Sequence, residues 1–504
     1  MSKKSVYFLS NCTAPTIYMR RLFSFLLFLF SLTISAQESQ YEEMKKMLNE
    51  HSLPLVNILV DVSRLSLSRF ETGEIEIADY QHRTNPLSET VKYHCQYRIR
   101  GGSASTYEKK SFAVKLVNED GTDLNANILG IREENSWILD AMAIDRIRMR
   151  NRICFDVWND LSHVPYETKY ENRNGTKGVF VEVFINGNYN GLYCMTDKID
   201  RKLLGLKKAK VGDDGSVELR GLLYKGINWK SGHNLLSYTD DDVNNATWNA
   251  WELQYPEDYP SINTWQPLMN LIDFCSSKTS NDVFVSGYQD YFYTDNLQDY
   301  YVFILAMNVG DNAYKNTFLS VVNIGQGHRY LLTPWDMDMS LGGNYNGDYY
   351  DEFSTLDRFN KIAPFNRLIV QDIDGFRYVL FNRWAELSET LFSIEEFNRR
   401  LDAYADMFVA SGAWERERNK WNGNPVPLKE SLAEELLYVK DWYKRNHAYL
   451  CEQYESEATK LVSTFANTNT NNVYMLDGRK VNNANSLRKG IYIVNGKKVF
   501  NDYR

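Results

Sequence analysis

Four oxygen-bearing side chains flank a hairpin that the sequence predicts in the middle of the chain. They are Asp311, Asn316, Asp336 and Asp338. The predicted strands are residues 317–322 and 329–334, with a glycine-containing turn between them. If these strands pair around that turn, Thr317 lies opposite Pro334, and facing residues are about 5 Å apart. The four polar side chains are therefore expected to converge at the open end of the hairpin.

The ligand types in this cluster favour metal-assisted phosphoryl transfer. Oxygen ligands without His or Cys suit Mg²⁺ or Mn²⁺, which bind one or two carboxylates, water and substrate phosphates. In protein kinases one Asp positions the acceptor hydroxyl, an Asn five residues later binds metal, and a later Asp completes the metal site. Asp311, Asn316 and Asp336 occur in that order. Asp338 shares a face with Asp336 in an extended chain. Each residue alone has a simpler interpretation, because carboxylates at strand ends commonly cap turns.

A glycine-rich segment in the first half is a second candidate site, for the phosphates of a nucleotide. The candidate contacts are Arg100, Gly101, Gly102, Ser103 and Ser105. The two glycines let backbone N–H groups approach a phosphate closely. A lysine on the following strand would hold the α and β phosphates, and Lys115 and Lys110 compete for that role. The simpler alternative is a hairpin turn surrounded by solvated lysines.

The elements that must position these motifs differ between the two halves. Strand-like alternation at 55–60, 74–78, 93–100 and 112–117, and a hairpin with an Asn186-Gly187 turn, predict an antiparallel sheet. Apolar spacing predicts a helix at 144–161, with at least two of Arg146, Arg150 and Arg152 solvated. Helical patterns follow at 265–276, 297–307, 376–392, 394–408 and 428–454. We therefore expect an α+β protein.

Both ends of the chain carry targeting patterns. Met19 is followed by two arginines, an apolar run at 22–32 and small residues near position 36, which predicts a signal peptide over 1–36 with Met19 as an alternative start. No later stretch reaches the roughly 20 apolar residues of a membrane span. An Asn/Thr-rich linker at 465–472 precedes a tail at 473–504 with its own strand pattern and an Asn495-Gly496 turn.

Charge and cysteine content narrow the function classes. Removal of residues 1–36 moves the formal net charge from −8 to −12, which disfavours a nucleic-acid partner. Of the 6 cysteines one precedes the cleavage point, and no C-x-x-C or H-E-x-x-H motif supports a zinc site. Disulfides and unpaired buried cysteines both remain open.

These motifs, in this order, resemble the spore-coat protein H (CotH) kinase family over about residues 53–454. The matching segments are Arg98-Ile-Arg-Gly-Gly-Ser103, Lys109-Lys-Ser-Phe112, Trp137-Ile-Leu-Asp140, Phe184 to Tyr193, and Pro334-Trp-Asp-Met-Asp338. The resemblance implies an atypical two-lobed protein-kinase-like fold, with an antiparallel-sheet N-lobe at 37–200 and a mostly helical C-lobe at 201–464. It implies ATP and Mg²⁺ or Mn²⁺ as cofactors, and phosphorylation of Ser or Thr on secreted or surface proteins.

The resemblance also assigns roles to individual residues. Asp311 resembles the catalytic Asp, Asn316 and Asp336 resemble metal ligands, and residues 100–105 with Lys110 or Lys115 resemble the ATP clamp. Asp197, a candidate cofactor contact by this resemblance, stands where the family usually has Glu, and this departure is expected to alter contacts at the lobe hinge. Gly102 stands where the family often has Asn.

The tail resembles the C-terminal sorting domain of the type IX secretion pathway of Bacteroidetes, which implies a small β-sandwich, export to the cell surface or medium, and contact with that machinery. A plain adhesive β-module is the alternative for the tail. For the whole chain, the alternatives are a kinase-like protein without activity that binds surfaces or glycans, and an enzyme that transfers AMP instead of phosphate.

Overall fold

The computed structural model describes residues 38–169, 172–228, 230–313, 315–353, 358–467, 473–475, 490–494 and 497–501. The predicted signal peptide at 1–36 lies outside these ranges. Within them, no helix combines the length and the apolar character needed to cross a bilayer. The structure is mixed α+β, as the sequence predicts.

Seven strands from the first 200 residues pair into a closed barrel. In spatial order they are β1 (Leu55–Leu59), β2 (Glu71–Ala78), β3 (Thr90–Arg100), β4 (Ser111–Leu116), β7 (Ser136–Asp140), β9 (Asn188–Thr196) and β8 (Gly178–Ile185). The short strands β5 (Ala126–Asn127) and β6 (Glu133–Glu134) pair separately. Barrel pairs are antiparallel except β1 with β8, which runs parallel and closes the ring. The predicted antiparallel sheet is therefore a barrel, whose closure leaves no free edge among these seven strands.

A second, antiparallel sheet carries the hairpin with the polar cluster. Its order is β13 (Thr247–Trp248), β14 (Trp251–Tyr255), β12 (Leu222–Gly226), β15 (Thr317–Val321) and β16 (Leu331–Pro334). Thr317 pairs with Pro334, which is the predicted register. The two strands are slightly shorter than predicted, and a 3₁₀ turn at Ile324–Gln326 lies within the predicted turn. A separate small hairpin joins β10 (Lys210–Val211) to β11 (Val217–Glu218).

Helices dominate the chain after residue 261. The helices of eight or more residues there are α3 (Ile262–Cys275), α4 (Asn281–Tyr291), α5 (Thr294–Met307), α6 (Phe376–Ser388), α7 (Ile394–Ala410), α8 (Ala413–Trp421) and α9 (Leu432–Asn467). Two helices precede them, α1 (Gln40–Lys45) and α2 (Arg150–Leu161). All five helical patterns predicted for this half are present, whereas α4 and α8 were not predicted.

The helix predicted at 144–161 begins later than expected, at Arg150. The Asp145 carboxylate accepts three backbone N–H groups from the turn that precedes the helix. Arg148 within that turn has a left-handed φ of 57°, which a continuous helix cannot contain. Apolar spacing predicted the helical face but not this turn.

The prediction of solvated arginines on α2 was wrong. Arg150 and Arg152 are 2% and 3% exposed. Arg150 pairs with Asp145 at 2.5 Å, and Arg152 pairs with Asp156 at 2.9 Å. These ion pairs allow charged side chains to occupy the apolar interface between the barrel and the helices.

Helices α7 and α8 pack directly on the barrel. Phe180 on β8 contacts Tyr404 and Phe408 on α7, with ring centroids 4.9 and 4.7 Å apart. Arg416 on α8 binds both carboxylate oxygens of Glu182 at 2.7 Å. The two halves of the chain therefore share a buried, partly charged interface.

The tail contributes three described strands, β17 (Val473–Met475), β18 (Gly490–Val494) and β19 (Lys497–Asn501). They form one antiparallel sheet. The second sheet of a β-sandwich is not among the described residues of the tail. Because α9 continues to Asn467, residues 465–467 of the predicted linker are helical, and residues 468–472 lie outside the described ranges.

Candidate functional site

A cavity of about 790 Å³ lies between the barrel and the second sheet. The end of β3 and the following loop, from Arg100 to Ala104, line this cavity together with the open end of the β15–β16 hairpin. Met142, Ile144 and Met339 line a more apolar part. This volume is in the range of pockets that bind nucleotide-sized ligands. The cavity brings together the two motifs that the sequence analysis singled out.

Three of the predicted polar residues are in direct contact at the hairpin end. The Asn316 Nδ2 atom donates to Asp311 Oδ2 at 2.8 Å and to Asp336 Oδ2 at 3.4 Å. Asp311 and Asn316 are buried, whereas Asp336 is exposed to the cavity. Because the Asn316 amide nitrogen faces both carboxylates, its oxygen remains available, and it accepts no hydrogen bond from the described residues. Asp338 lines the same cavity.

The backbone at this end is held in an uncommon conformation. Asn316 and Asp336 have φ values of 60° and 57°, in the left-handed region that Asn and Asp tolerate better than most residues. The buried Asn312 amide donates to the backbone oxygens of Asn316 at 2.9 Å and Trp335 at 3.3 Å. Asn312 therefore ties the two strand ends together, and this residue was not predicted.

A second asparagine connects the hairpin to the barrel. The Asn151 amide donates to Asp140 Oδ2 at 3.1 Å and accepts the Met337 N–H at 3.1 Å. Asp140, at the end of β7, lines the cavity. Asn151 therefore fixes the segment between Asp336 and Asp338 relative to the barrel. Asn151 is close to the motif residues in the fold but belongs to no motif in the sequence. It could therefore not be predicted as a site residue.

Burial and like charges perturb the carboxylates of the site. Burial raises the pKa of Asp311, and Asp336 adds to this effect, whereas Lys315 at 3.0 Å opposes it. Burial raises the pKa of Asp338 well above its usual range, with further contributions from Asp336 and Asp140. Both groups are therefore poised to respond to a cation or a proton.

A comparison with protein families shows to which family the chain belongs. A family model described as "CotH kinase protein" matches residues 97–450, which is more than half of the chain. The chain belongs to the CotH kinase family. A comparison with curated proteins finds no significant match. The matched region contains the glycine-rich loop, the barrel from β3 onward, and the β15–β16 hairpin.

The glycine-rich loop of this CotH-family protein has the conformation that its glycines permit. Gly101 has a φ of 103°, and a Cβ atom there would lie 2.9 Å from the Ala104 side chain. Arg100 lies over the Trp335 ring, 5.7 Å from its centroid. Arg100, Gly101, Gly102 and Ser103 all line the cavity. The loop and the carboxylates of the hairpin end therefore line the same cavity.

Two predicted contacts hold the loop instead of lining the cavity. The Ser105 hydroxyl donates to the Gly102 backbone oxygen at 2.6 Å. The Lys110 ammonium donates to the Ser105 backbone oxygen at 2.8 Å. Both residues stabilise the turn in this structure.

Lys115 and Asp197 lie away from the cavity. The Lys115 side chain alternates with buried neighbours on β4 and pairs with the exposed Asp123 at 2.7 Å. Asp197 is fully buried and pairs with Arg132 at 3.0 Å and Arg173 at 3.1 Å. The structure therefore does not bring these two predicted cofactor contacts to the site. The Lys115 side chain lies on the face of β4 opposite to its buried neighbours. Asp197 is enclosed by Arg132 and Arg173.

Two lysines near the cavity were not predicted as site residues. Lys315 lines the cavity beside Asp311. Lys225 on β12 is partly buried, and burial lowers its pKa, although Asp336 opposes this shift. Lys315 precedes Asn316 in the motif and could have been proposed from sequence, whereas Lys225 belongs to no motif.

The donor set fits a magnesium-like cation bound together with a phosphate. In the described part of the chain, no group of three or more His, Cys, Asp or Glu side chains forms a metal site by itself. The Asn316 oxygen and the carboxylates of Asp336 and Asp338 are hard ligands. Mg²⁺ commonly uses one or two carboxylates and completes its shell with water and substrate phosphates. The residues therefore fit a cation that arrives with a nucleotide.

Proposed function

We propose that this CotH-family protein is an atypical protein kinase that transfers the γ-phosphate of ATP to Ser or Thr side chains. The observation that carries the proposal is the contact of Asp311, Asn316 and Asp336 in the cavity that the glycine-rich loop also lines. This arrangement supplies a base candidate, metal-ligand candidates and a phosphate-binding loop in one space.

Asp311 is the proposed group that orients and accepts the proton of the acceptor hydroxyl. Its raised pKa brings it closer to the neutral range in which proton acceptance is efficient. The hydrogen bond from Asn316 and the ion pair with Lys315 fix its orientation. A hydroxyl placed within hydrogen-bond reach of Asp311 would be positioned for attack on a phosphoryl group in the cavity.

The remaining residues bind and orient the nucleotide in this proposal. The Asn316 oxygen, Asp336 and Asp338 would hold Mg²⁺ or Mn²⁺, which with ATP supplies the phosphoryl group and neutralises its charge. The loop at 101–103 contributes backbone N–H groups, and Arg100 contributes positive charge. The apolar side chains that line the cavity would contact the adenine base of the nucleotide. The barrel and the helical half then correspond to the N-lobe and C-lobe of a kinase-like fold.

We further propose that the protein acts outside the cytoplasm on secreted or surface proteins. The signal-peptide pattern at 1–36 and the sorting-domain resemblance of residues 473–504 support this location, with the type IX machinery as a transport partner. Among the described residues, the buried cysteines Cys95, Cys154, Cys194 and Cys275 form no disulfide in the structure.

Transfer of label tests the catalytic proposal. The purified protein is incubated with Mg²⁺ or Mn²⁺, a degenerate Ser/Thr peptide library, and ATP labelled at the γ or the α phosphate. We expect γ-label transfer that falls by about 10²-fold or more in Asp311→Asn and is lost in Asp336→Asn. Asp290→Asn is the matched control, because this carboxylate is 81% exposed.

Equal γ-label transfer by wild type and both site variants would contradict the proposal. Transfer of the α label instead, with dependence on the same residues, would assign AMP transfer to this site. Absence of any transfer together with absence of nucleotide binding would favour a binding protein on a kinase-like scaffold.

A further inference from the structure

The lysines of the glycine-rich loop and β4 are all engaged in contacts of their own. Lys109 is fully buried, with its ammonium 2.6 Å from Glu417 Oε1 and 2.6 Å from the Leu192 backbone oxygen. As described above, Lys110 bonds within the loop and Lys115 pairs with a surface aspartate. A kinase-like site needs cations near the nucleotide phosphates, so these must come from elsewhere.

Three other cations from different parts of the chain lie near Asp336. Arg100 ends strand β3, Lys225 lies near the end of β12, and Lys315 precedes β15. Arg100 and Lys315 line the cavity. Lys225 pairs in register with Phe318, and Phe318 contacts the Trp335 ring, over which Arg100 lies. Lys225 therefore lies beside Arg100 on the Trp335 side of the sheet.

Two of the three cations have no direct ion pair within the described part of the protein. Asp336 acts on all three cations, with Asp140 acting also on Arg100 and Glu252 on Lys225, whereas Lys315 has its own ion pair with Asp311 at 3.0 Å. Neither Arg100 nor Lys225 forms an ion pair within 4.0 Å with any residue that the structure describes. Partly buried cations that repel one another without paired anions are costly to maintain. A multiply charged anion bound among them would offset that cost.

We propose that Arg100, Lys225 and Lys315 form the anion site for the terminal phosphates of the nucleotide, in place of a lysine from the barrel. The inference rests on the proposed kinase function and deepens it. The anion would lie between the glycine-rich loop and Asp336, the position at which a metal ion held by Asn316 and Asp336 can also contact phosphate. Two of the three cations thus come from the second sheet and its hairpin, and not from the barrel.

Binding measurements test the site without requiring turnover. The full-length protein is titrated calorimetrically with adenosine, with the non-hydrolysable ATP analogue AMP-PNP, and with inorganic tripolyphosphate, each in Mg²⁺. The variants are Lys225→Met and Lys315→Met, their charge-preserving Arg counterparts, and Lys110→Met as the competing assignment. Lys92→Met is the matched control, because it removes an exposed lysine paired with Glu74 on the outside of the barrel.

We expect both site Met variants to bind AMP-PNP and tripolyphosphate about 10- to 100-fold more weakly, the usual effect of losing a hydrogen bond to a charged group. Adenosine affinity should not change, and the Arg variants should recover part of the loss. Lys225→Met should unfold at the same temperature as wild type or higher, because it removes a partly buried cation that has no direct ion pair among the described residues. A merely structural lysine would show the opposite stability change.

Two results would overturn the inference. One is unchanged polyphosphate affinity in Lys225→Met and Lys315→Met, whether or not Lys110→Met loses affinity. The other is wild-type protein that binds no polyphosphate. If tripolyphosphate binds and depends on both lysines while AMP-PNP does not bind and no label is transferred, the anion site stands and the proposed kinase function fails.

Discussion

Glu417 holds two cations in a position that has no access to solvent. Its Oε1 atom accepts from Lys109 Nζ at 2.6 Å and from Arg148 Nε at 2.7 Å, and Oε2 accepts the Leu192 N–H at 2.7 Å. The Lys109, Arg148 and Glu417 side chains are 0% exposed. Helix α8 thereby supplies the negative charge for two cations of the barrel half.

Glu417→Gln keeps the shape of the side chain and removes its charge. Removing one partner of a buried ion pair costs about 3–5 kcal/mol, and here two cations lose their partner, so we expect the upper part of that range. This is a large fraction of the roughly 5–15 kcal/mol that stabilises a typical domain. Urea unfolding below the lowered pKa of Lys109 of about 7, where its ammonium is charged, measures the change by tryptophan fluorescence. Glu415→Gln is the control, because Glu415 is exposed on the same helix and should change stability by less than about 0.5 kcal/mol.

A double variant tests whether the stranded cations cause the loss. Lys109→Met combined with Glu417→Gln should be more stable than the sum of the two single changes predicts, because it removes one of the unpaired charges. If Glu417→Gln unfolds within about 0.5 kcal/mol of wild type, the reasoning about this buried cluster is refuted.

Three further predictions follow from the geometry. Burial lowers the pKa of Lys109 to about 7, below the value of about 10.4 in an unfolded chain. Between those pH values the unfolded state binds a proton that the folded state lacks. The free energy of unfolding of wild type relative to Lys109→Met should therefore rise with pH, by up to about 1.4 kcal/mol per pH unit. Urea unfolding from pH 7 to 9.5 measures this difference, and a difference that stays constant would contradict the prediction. Gly101→Ala should weaken AMP-PNP binding, because its backbone has a φ of 103° and an added Cβ atom would clash with the Ala104 side chain. Gly102→Ala should not weaken binding, because an added Cβ atom there has no neighbour within 4 Å. Equal affinities of the two variants in calorimetry would contradict this. Asn312→Ala should lower the free energy of unfolding by about 1–3 kcal/mol by leaving two backbone oxygens of the hairpin unsatisfied; no change in urea unfolding would contradict this.

The hairpin was predictable because its information is local. Fewer than 30 residues separate Asp311 from Asp338, and the pairing of Thr317 with Pro334 follows from the lengths of two strands and one turn. Once the strands pair, the polar residues outside their ends have little freedom to separate. The side chains of this wall could therefore be predicted without knowledge of the rest of the fold.

Features that depend on distant pairing could not be predicted. The barrel closes through the parallel pairing of Leu55 with Glu182, and neither strand carries a signal for the other. Lys225 reaches the site because β12 pairs with β15, and Glu417 meets Lys109 across 308 positions of sequence. The burial of Arg152 had a local signal in Asp156, four residues later on the same helix face, but helical spacing alone does not distinguish a buried pair from a solvated one.

A substitution at one carboxylate of the site can distinguish a residue that binds a ligand from a residue that stabilises the fold. Asp338 is partly buried, and Asp336 and Asp140 repel its charge. Asp338→Asn removes that repulsion and retains the size of the side chain. Without metal, we expect the free energy of unfolding to rise, on the order of 1 kcal/mol, as for other changes that relieve unfavourable charge.

The same variant should behave in the opposite way when metal and nucleotide are present. A ligand at 100 times its dissociation constant stabilises a folded protein by about 2.7 kcal/mol, and Asp338→Asn should lose part of that gain because it removes a metal-ligand candidate. Thermal and urea unfolding with and without Mg²⁺ and AMP-PNP measure both changes, with Asp290→Asn as the exposed control. If Asp338→Asn is less stable than wild type without metal, or keeps the full gain with metal, Asp338 serves the fold instead of the ligand. If the effect of Asp338→Asn on stability changes sign between the metal-free and the metal-bound protein, the carboxylate is unfavourable alone and favourable beside a cation. This is the behaviour of a binding residue.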